Sequence, residues 1–224
     1  MKTVLITGVG KGIGRALAET CLAKEHFVIG TYQSTLPKIQ HERFVAVRLD
    51  LSDPDSIVAC EKSVREIGYP IDIHINNAGI LLDGDETRVD PKKLRATLEV
   101  NVIGTIDFTE RIIPLINTGG HIVNISSSAG SLALSQKMKS HYPHHYPAYK
   151  ISKTALNMYT VTLAEELKKS SITVSSVNPG WVKTDMGGPE GEYTPAQAAE
   201  RIYKLAIKPP KTGNFWFGNK KLPW

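Results

Sequence analysis

Short apolar segments alternate with amphipathic helical patterns from one end of the 224-residue chain to the other. Brief apolar runs are typical of buried strands, whereas apolar residues spaced three and four apart are typical of helices that cover a sheet. We predict strands at residues 4–7, 27–31, 44–49, 71–75, 121–126, 172–177 and 214–217. We predict helices at residues 12–24, 54–67, 91–116, 148–169 and 195–207. The alternation therefore predicts an α/β fold, a single domain built on a doubly wound parallel sheet of about seven strands with helices on both faces.

Charge and cysteine content exclude several classes of function. The net charge is +5, but lysines and arginines are scattered and the longest basic runs are pairs, so we expect no nucleic-acid partner. Cys21 and Cys60 lie in helical patterns without metal-type spacing, which predicts buried thiols and no metal site. No apolar run approaches the roughly 20 residues that span a bilayer. The first strand begins at once and leaves no room for a signal peptide, so we expect a cytoplasmic protein without a membrane partner.

A glycine-rich loop joins the first predicted strand to the first predicted helix. Its spacing is Gly-x-x-x-Gly-x-Gly, and its residues are Gly8, Gly10, Lys11, Gly12, Ile13 and Gly14. Such a loop lets backbone amides approach a pyrophosphate closely, and the helix N-terminus adds partial positive charge. The alternative is a tight turn whose glycines serve packing alone. Its location at the first strand–helix junction favours dinucleotide binding.

The end of the second predicted strand indicates which dinucleotide binds. An acid there would accept a hydrogen bond from the ribose 2′-hydroxyl of NAD, whereas a 2′-phosphate needs cations and hydroxyls. The segment contains Thr31, Gln33 and Ser34 and has no carboxylate. Lys11 in the glycine loop can reach the same phosphate, although a solvated loop lysine is the alternative. The pattern favours NADP, with NADPH preferred over NADH.

Two Tyr-x-x-x-Lys pairs follow, Tyr146 with Lys150 and Tyr149 with Lys153. On a helix such residues share a face, and a nearby ammonium lowers the pKa of a tyrosine from about 10 and makes it a proton donor at working pH. Pro147 separates the two pairs. A residue before proline is pushed towards extended angles, while proline itself suits the first turn of a helix. We therefore predict a helix from about Pro147, with only Tyr149 and Lys153 on one helical face.

Seven motifs, in order along nearly the whole chain, resemble those of the short-chain dehydrogenase/reductase family. They are Thr7-Gly8-x-x-x-Gly12-x-Gly14, Asp50, Asn76-Asn77-Ala78-Gly79, Asn101, Ile125-Ser126-Ser127-Ser128-Ala129-Gly130, Tyr149-x-x-x-Lys153 and Asn178-Pro179-Gly180-Trp181-Val182-Lys183-Thr184. Residues 179–188 and 218–224 also resemble the sniffer-like carbonyl reductases. The resemblance implies that residues 1–224 form one Rossmann domain and that the chain is an NADP-dependent alcohol or carbonyl oxidoreductase.

The resemblance also implies site residues. Ser127 would donate a hydrogen bond to the carbonyl oxygen and Tyr149 would deliver the proton. Lys153 would tune the pKa of Tyr149 and bind the nicotinamide ribose, and Asn101 would hold a water that connects Lys153 to solvent. The alternative for Asn101 is a helix-kink residue that satisfies backbone groups. The implied cofactor contacts are Gly8, Gly10, Lys11, Gly12, Ile13, Gly14, Thr31, Gln33, Ser34, Asp50, Leu51, Asn77, Ala78, Gly79, Tyr149, Lys153, Pro179, Gly180, Val182 and Thr184.

The serine-to-tyrosine spacing departs from the family pattern. Ser127 precedes Tyr149 by 22 residues, where a dozen or so is common. The additional segment, residues 132–147, would lie at the carboxyl edge of the sheet, where substrates bind in such folds. The departure leaves Ser126 and Ser128 open as alternatives to Ser127. The other aromatic and histidine residues of the segment read as substrate-loop or surface residues, and they are Tyr142, His144, His145 and Tyr146.

The expected partner is a small-molecule carbonyl or alcohol substrate whose identity the sequence leaves open. The alternative function is a non-catalytic NADP(H)-binding sensor on the same fold, although a sensor has no need for the set of Ser127, Tyr149 and Lys153. In similar proteins the helices predicted at residues 91–116 and 148–169 form dimer faces, so a homo-dimer or homo-tetramer is an open expectation.

Overall fold

The computed structural model describes residues 1–137 and 145–224. Within these residues eight strands form one sheet in the order β3-β2-β1-β4-β5-β6-β7-β8. The strands are β1 (Thr3–Ile6), β2 (Phe27–Tyr32), β3 (Phe44–Arg48), β4 (Ile71–Asn76), β5 (Ile116–Ile125), β6 (Thr173–Val177), β7 (Asn214–Phe217) and β8 (Lys220–Leu222). All neighbours pair in parallel except β7 and β8, which are antiparallel. The doubly wound α/β fold predicted from the alternating pattern is confirmed.

Helices cover both faces of this sheet. They are α1 (Gly12–Ala23), α2 (Pro54–Ile67), α3 (Pro91–Leu98), α4 (Thr105–Ile112), α5 (Leu132–Lys137), α6 (Pro147–Glu166) and α7 (Pro195–Ile207). Side chains of β1 alternate between the faces, as the pleat of a strand requires. Val4 and Ile6 belong to the core formed with α1 and α7, whereas Leu5 belongs to the core formed with α2 and Phe108 of α4. Two apolar layers therefore enclose the sheet.

Local signals set the bounds of α2 as the sequence predicts. The side chain of Asp53 accepts a hydrogen bond from the amide of Asp55, Pro54 opens the first turn, and Gly68 ends the helix with a φ of 78°. A side-chain oxygen at the cap and a left-handed glycine after the last turn satisfy backbone groups that a helix leaves unpaired. Asp53 is therefore the N-cap of α2.

The helix predicted at residues 91–116 is helical over residues 91–115, but it is not a regular α-helix throughout. After α3 the chain forms a π-helical segment, Glu99–Gly104, before α4 begins, and β5 already starts at Ile116 rather than at residue 121. A side chain at Gly104 would overlap the Leu51 carbonyl oxygen, so the segment packs on the loop after β3 at backbone distance. The wider π turn accommodates this close approach, which the apolar spacing of the sequence does not encode.

Three smaller features also differ from prediction. Strand β8 and helix α5 were not predicted, because a three-residue strand with two lysines and a six-residue helix carry almost no periodic signal. Tyr146 has φ 49° and ψ 54°, so it is left-handed rather than extended, although helix α6 does begin at Pro147. Tyr142 and His144, predicted to be substrate-loop or surface residues, lie outside the described residues. Among the described helices, none is both long and apolar enough to cross a bilayer.

Candidate active site

The glycine loop is a tight turn braced by its neighbours. Gly8 and Gly12 have φ values of 75° and 57°, a region that other residues rarely adopt. A side chain at Gly14 would overlap the carbonyl oxygen of Gly8 and the side-chain amide of Asn77. Thr31, which is buried, accepts a hydrogen bond from the amide of Gly8 at 3.3 Å. Gly8 and Gly14 are therefore fixed by packing, and the hydroxyl of Thr31 supports the loop.

The first turn of α1 presents backbone amides as hydrogen-bond donors. The residue before the helix does not cap these amides with its side chain. Helix α1 follows Lys11, which makes no side-chain cap bond, and its first turn contains no acid. The first amides of a helix lack partners within the helix and carry partial positive charge. This turn therefore fits the diphosphate of a dinucleotide, since the glycines keep side chains away from it.

The side chain of Lys11 extends from the glycine loop, and its ammonium pairs with the Asp185 carboxylate at 2.6 Å. Both side chains are more than three-quarters exposed. The ammonium of Lys11 lowers the pKa of Asp185. The pair connects the glycine loop to the segment after β6, which also touches the loop where Thr184 lies beside Gly12. The sequence assigns Lys11 to a 2′-phosphate. A phosphate bound there would compete with Asp185 for the ammonium of Lys11.

Polar groups converge where β2 and β3 end. Asp50 accepts hydrogen bonds from Ser52 and from the side-chain amide of Gln33 at 3.1 Å, and these bonds lower the pKa of Asp50. Arg48, at the last position of β3, is exposed and donates from Nε to the Gln33 carbonyl at 3.4 Å. Arg48 was missed from the sequence, because its proximity to Gln33 follows only from the pairing of Tyr32 with Arg48 between the two strands.

Hydrogen bonds hold the end of β4 and the segment after it to the two neighbouring strands, to Thr7 directly after β1 and to Asn124 on β5. The hydroxyl of Thr7 accepts from the amides of Asn77 and Ala78 at 3.0 Å each, and the side chain of Asn77 donates back to the Thr7 carbonyl at 2.9 Å. Asn76 donates to Asn124 on β5 at 2.9 Å, in a buried position. The Asn-Asn-Ala-Gly motif therefore ties the glycine loop to the middle of the sheet.

Lys153 is the most perturbed cation of the site. It is only 4% exposed, and its Nζ donates to the Ile125 carbonyl at 2.9 Å. Burial lowers the pKa of Lys153 to about 8, because the charged form loses its hydration. Its Nζ lies 5.5 Å from the ring centroid of Tyr149, and a side chain at Gly79 would lie 3.6 Å from the same nitrogen. Lys153 thus binds the end of β5 and lies close to the segment after β4 and to Tyr149, the predicted general acid.

The three consecutive serines after β5 differ in what they contact. Ser126 is 1% exposed and its hydroxyl donates to the Lys153 backbone carbonyl at 3.4 Å, which directs it into the protein. Ser127 is half-buried, and its hydroxyl accepts from the Ala129 amide at 3.1 Å, which leaves its own proton to donate. Ser128 is also half-buried. The contacts thus disfavour Ser126 and are compatible with Ser127.

Asn101 lies in the π-helical segment and is 1% exposed. Its carboxamide exchanges two hydrogen bonds with the backbone of Ile80, both 2.8 Å, and also donates to the hydroxyl of Ser152 at 3.1 Å. Ser152 in turn donates to the Tyr149 carbonyl at 2.7 Å. These bonds favour the alternative in which Asn101 satisfies backbone groups at a helix irregularity, and they link that irregularity to the first turns of α6.

Residues 179–184, after β6, are held by a contact that the sequence did not reveal. Arg201 of α7 donates to the Pro179 carbonyl at 3.1 Å, and its guanidinium lies 4.2 Å from the ring centroid of Tyr193 and 4.5 Å from that of Phe217. Gly180 has φ 87° and faces the Tyr193 ring. Arginine between two rings is a stable arrangement, so it fixes the predicted nicotinamide segment.

The predicted site residues therefore lie on the loops that follow β1 to β6, at one edge of the sheet, together with the π-helical segment and the start of α6. In parallel sheets this edge is where ligands bind. His145 lies just before α6 and is half-buried. Within the described residues no group of three or more His, Cys, Asp or Glu side chains is arranged to hold a metal ion.

Comparisons with known proteins find similar sequences and similar folds. The family model described as short chain dehydrogenase matches residues 2–194. Carbonyl reductase (NADPH) 1 of Mus musculus is 28% identical, and the match covers 98% of this chain and 97% of that protein. The NADPH-bound carbonyl reductase from chicken fatty liver is 28% identical with a TM-score of 0.88, over 100% of this chain and 99% of that one. The carbonyl reductase Sniffer of D. melanogaster is 25% identical with a TM-score of 0.87, over 100% of both chains.

Proposed function

Because this chain belongs to the short-chain dehydrogenase family, we propose that it is an oxidoreductase that reduces an aldehyde or ketone to an alcohol with NADPH. The observation that carries the proposal is the buried ammonium of Lys153 beside the ring of Tyr149. Burial of an ammonium costs free energy because its hydration is lost, so its place beside a phenol fits a role in proton transfer. The carbonyl reductases to which the chain is similar, one of them bound to NADPH, support this choice of reaction and cofactor.

The cofactor would lie along the carboxyl edge of the sheet. The uncapped first turn of α1 would bind the diphosphate, and Asn77 to Gly79 would line the nicotinamide ribose. Gln33, Ser34, Arg48 and Lys11 would surround a 2′-phosphate, which is why NADPH is favoured over NADH. When bound there, NADPH supplies the hydride.

Tyr149 acts as the general acid in this proposal. As hydride reaches the carbonyl carbon, negative charge grows on the carbonyl oxygen and must be met by a donor. The ammonium of Lys153 lies close enough to the phenol to stabilise the phenolate that remains after proton transfer. Lys153 stays charged below its pKa of about 8, so the pair works near neutral pH.

Ser127 donates the second hydrogen bond to the carbonyl oxygen. Its hydroxyl accepts from the Ala129 amide, and its own proton can donate to the substrate. Asn101 acts through other groups, since its amide is bonded to Ile80 and Ser152. We expect Asn101 to hold the first turns of α6 in place rather than to touch substrate.

The test is steady-state consumption of NADPH by the purified protein with a panel of aldehydes, ketones and quinones. Turnover with at least one class, and weaker turnover when NADH replaces NADPH, is the expected result. Binding of NADPH that changes cofactor fluorescence without any turnover would contradict the proposal and favour the sensor alternative. The panel would also narrow the substrate class, for which the described residues carry no diagnostic charge cluster.

A self-associated state is the second part of the proposal. Ile103 of the π-helical segment and Ile151 and Met158 of α6 are 54%, 42% and 65% exposed. Ile151 and Met158 are seven residues apart and so share a helical face. Sedimentation of the purified protein as a dimer or tetramer is expected, and a monomer at micromolar concentration would contradict this part.

A further inference from the structure

The helix that carries Tyr149 and Lys153 has no cap in its own sequence. Tyr146 occupies the cap position of α6 in a left-handed conformation and makes no side-chain cap bond, and Pro147 follows it. A helix start leaves backbone amides without partners inside the helix, and a short polar side chain normally accepts from one of them. Helix α6 must therefore obtain that acceptor from elsewhere.

Other helices of this protein cap themselves. In α2, α3 and α7 the residue directly before the helix accepts from an amide of the first turn, and these residues are Asp53, Asp90 and Thr194. Such caps cost little, because the side chains remain in contact with water. The contrast shows that local capping is available to this sequence and is not used at α6.

Asp83 supplies the missing acceptor from 65 residues away. Its Oδ2 accepts from the amide of Ala148 at 2.6 Å, the residue directly before Tyr149. Asp83 is 1% exposed, and its other oxygen has no hydrogen-bond partner among the described residues. Burial of a carboxylate is expensive, and a hydrogen bond at the positive end of a helix offsets part of that cost. An acid in this position is a poor choice for stability alone.

Asp83 belongs to a loop that joins the cofactor side of the site to α6. We call residues 80–86 the bridging loop. At one end Ile80 exchanges two hydrogen bonds with Asn101, directly after the segment that lines the predicted nicotinamide ribose. At the other end the Glu86 carbonyl accepts from the amide of Tyr146 at 3.0 Å, and the Glu86 side chain pairs with Lys93. Asp83 lies between these two anchors.

We propose that Asp83 is a positioning residue for Tyr149: it holds the first turn of α6 against the bridging loop and so fixes the phenol relative to the cofactor side of the site. The inference rests on the proposed function. The hydrogen bond from Ala148 sets where the helix begins, and Tyr149 is the next residue. Loss of this bond lets the first turn fray, which lowers the rate of proton transfer while the cofactor segments stay intact.

Asp83→Ala and Asp83→Asn separate this role from simple stability. Misplacement of a reacting group by about 1 Å can cost a factor of about 100, so we expect Asp83→Ala to lower kcat about 10- to 100-fold with 4-nitrobenzaldehyde. The dissociation constant of NADPH, measured by cofactor fluorescence, should change by less than about twofold. Asp83→Asn retains a carbonyl that can accept from Ala148, so it should keep kcat within about threefold of wild type.

Hydrogen–deuterium exchange provides a measurement that needs no cofactor. The amide of Ala148 should exchange faster in Asp83→Ala than in wild type, and Asp83→Asn should restore slow exchange. Asp53→Ala is the matched control, because it removes an acid cap from α2 and should lower the melting temperature without changing kcat. Unchanged kcat and exchange in Asp83→Ala, an Asp83→Asn variant as impaired as Asp83→Ala, or an equal loss of kcat in Asp53→Ala would overturn the proposal. If wild type reduces no carbonyl, the proposed function fails, while the exchange result still decides the role of Asp83.

Discussion

The two Tyr-x-x-x-Lys pairs have nearly the same internal geometry and different surroundings. Lys150 Nζ lies 5.1 Å from the ring centroid of Tyr146, and Lys153 Nζ lies 5.5 Å from that of Tyr149. Lys150 is half-buried, whereas Lys153 is almost fully buried and bonded to a strand carbonyl. The two tyrosine rings themselves meet edge to face, with centroids 6.1 Å apart. Spacing and proximity therefore do not distinguish these pairs.

Desolvation distinguishes them. Burial lowers the pKa of Lys153 to about 8, so its charge is held at a free-energy cost and acts on Tyr149 through a medium of low polarity. Tyr146 precedes α6, as predicted, and so does not share a helical face with Lys150, yet the two side chains still lie close together. Tyr146 is left-handed rather than extended, which brings its ring under Lys150 although it precedes the helix. The pair of Tyr149 and Lys153 differs by its buried cation, and the spacing of residues in the sequence does not predict burial.

The largest expected effect is on catalysis by Tyr149→Phe. Removal of the general acid should lower kcat about 1,000-fold, equivalent to about 4 kcal/mol of transition-state stabilisation. The affinity for NADPH should be nearly unchanged, since the ring remains. Steady-state assays of NADPH consumption would measure kcat, and fluorescence titration would measure the affinity for NADPH. Turnover near the wild-type rate would mean that this pair is not the chemical one.

The next effect concerns the dependence of stability on pH. The unfolded chain binds the lysine proton up to its ordinary pKa of 10.5, whereas the folded chain releases it at about 8. The unfolded state therefore binds more protons between these values, and the free energy of unfolding contributed by Lys153 rises with pH across this window. The gain between pH 7 and 10.5 is about 3 kcal/mol.

Denaturant unfolding of wild type and Lys153→Met at several pH values would measure this gain. The difference in unfolding free energy, wild type minus variant, should increase through the window. Lys150→Met is the control, and it should follow wild type because Lys153 is intact. A difference that does not change between pH 7 and 10.5 would show that Lys153 is solvated in the folded protein.

The serines provide a smaller effect. Ser127→Ala should lower kcat about 100-fold, because one hydrogen bond to the developing oxyanion is lost. Ser126→Ala should leave kcat within a few-fold of wild type, since its hydroxyl faces the backbone of Lys153. Kinetics of the two variants with one aldehyde substrate would decide the assignment. The reverse order of effects would assign the catalytic hydroxyl to Ser126.

The smallest effects are expected at the other pair. Tyr146→Phe keeps the ring and should change kcat by less than about threefold, and Lys150→Ala should cost only the contact between cation and ring, about 0.5–1 kcal/mol of stability. Thermal unfolding and steady-state kinetics would measure these changes. A large loss of turnover in either variant would give the second pair a chemical role and remove the distinction drawn from burial.

The sequence predicts elements best where their signals are local. Asp53, Pro54 and Gly68 mark both ends of α2, so residues 54–67 were predicted as observed. The helix predicted at residues 91–116 contains a π-helical segment that was not predicted, and in that segment Gly104 meets the backbone of Leu51, far away in sequence. Periodicity records which side chains are apolar, and it holds no information about backbone contacts with another segment.

The same distinction applies to the site. The glycine loop was predicted from its place after the first strand, Asp50 and Asn77 from the resemblance to the family, and Lys153 from its spacing to Tyr149. Asp83, Arg48 and Arg201 could not be predicted in these ways. Each acts through a contact made across the fold, with the amide of Ala148, the carbonyl of Gln33 and the carbonyl of Pro179. No spacing rule connects such partners.

The sequence by itself determined the α/β alternation, the dinucleotide loop and the order of the motifs, since these depend on side-chain periodicity and on residue types within a few positions of one another. Only the tertiary structure decided which Tyr–Lys pair carries a buried charge, which serine donates to the backbone of Lys153, and which side chain accepts from the first turn of the helix of Tyr149. Burial and the partners of polar groups depend on distant segments, and free energies of desolvation follow from them.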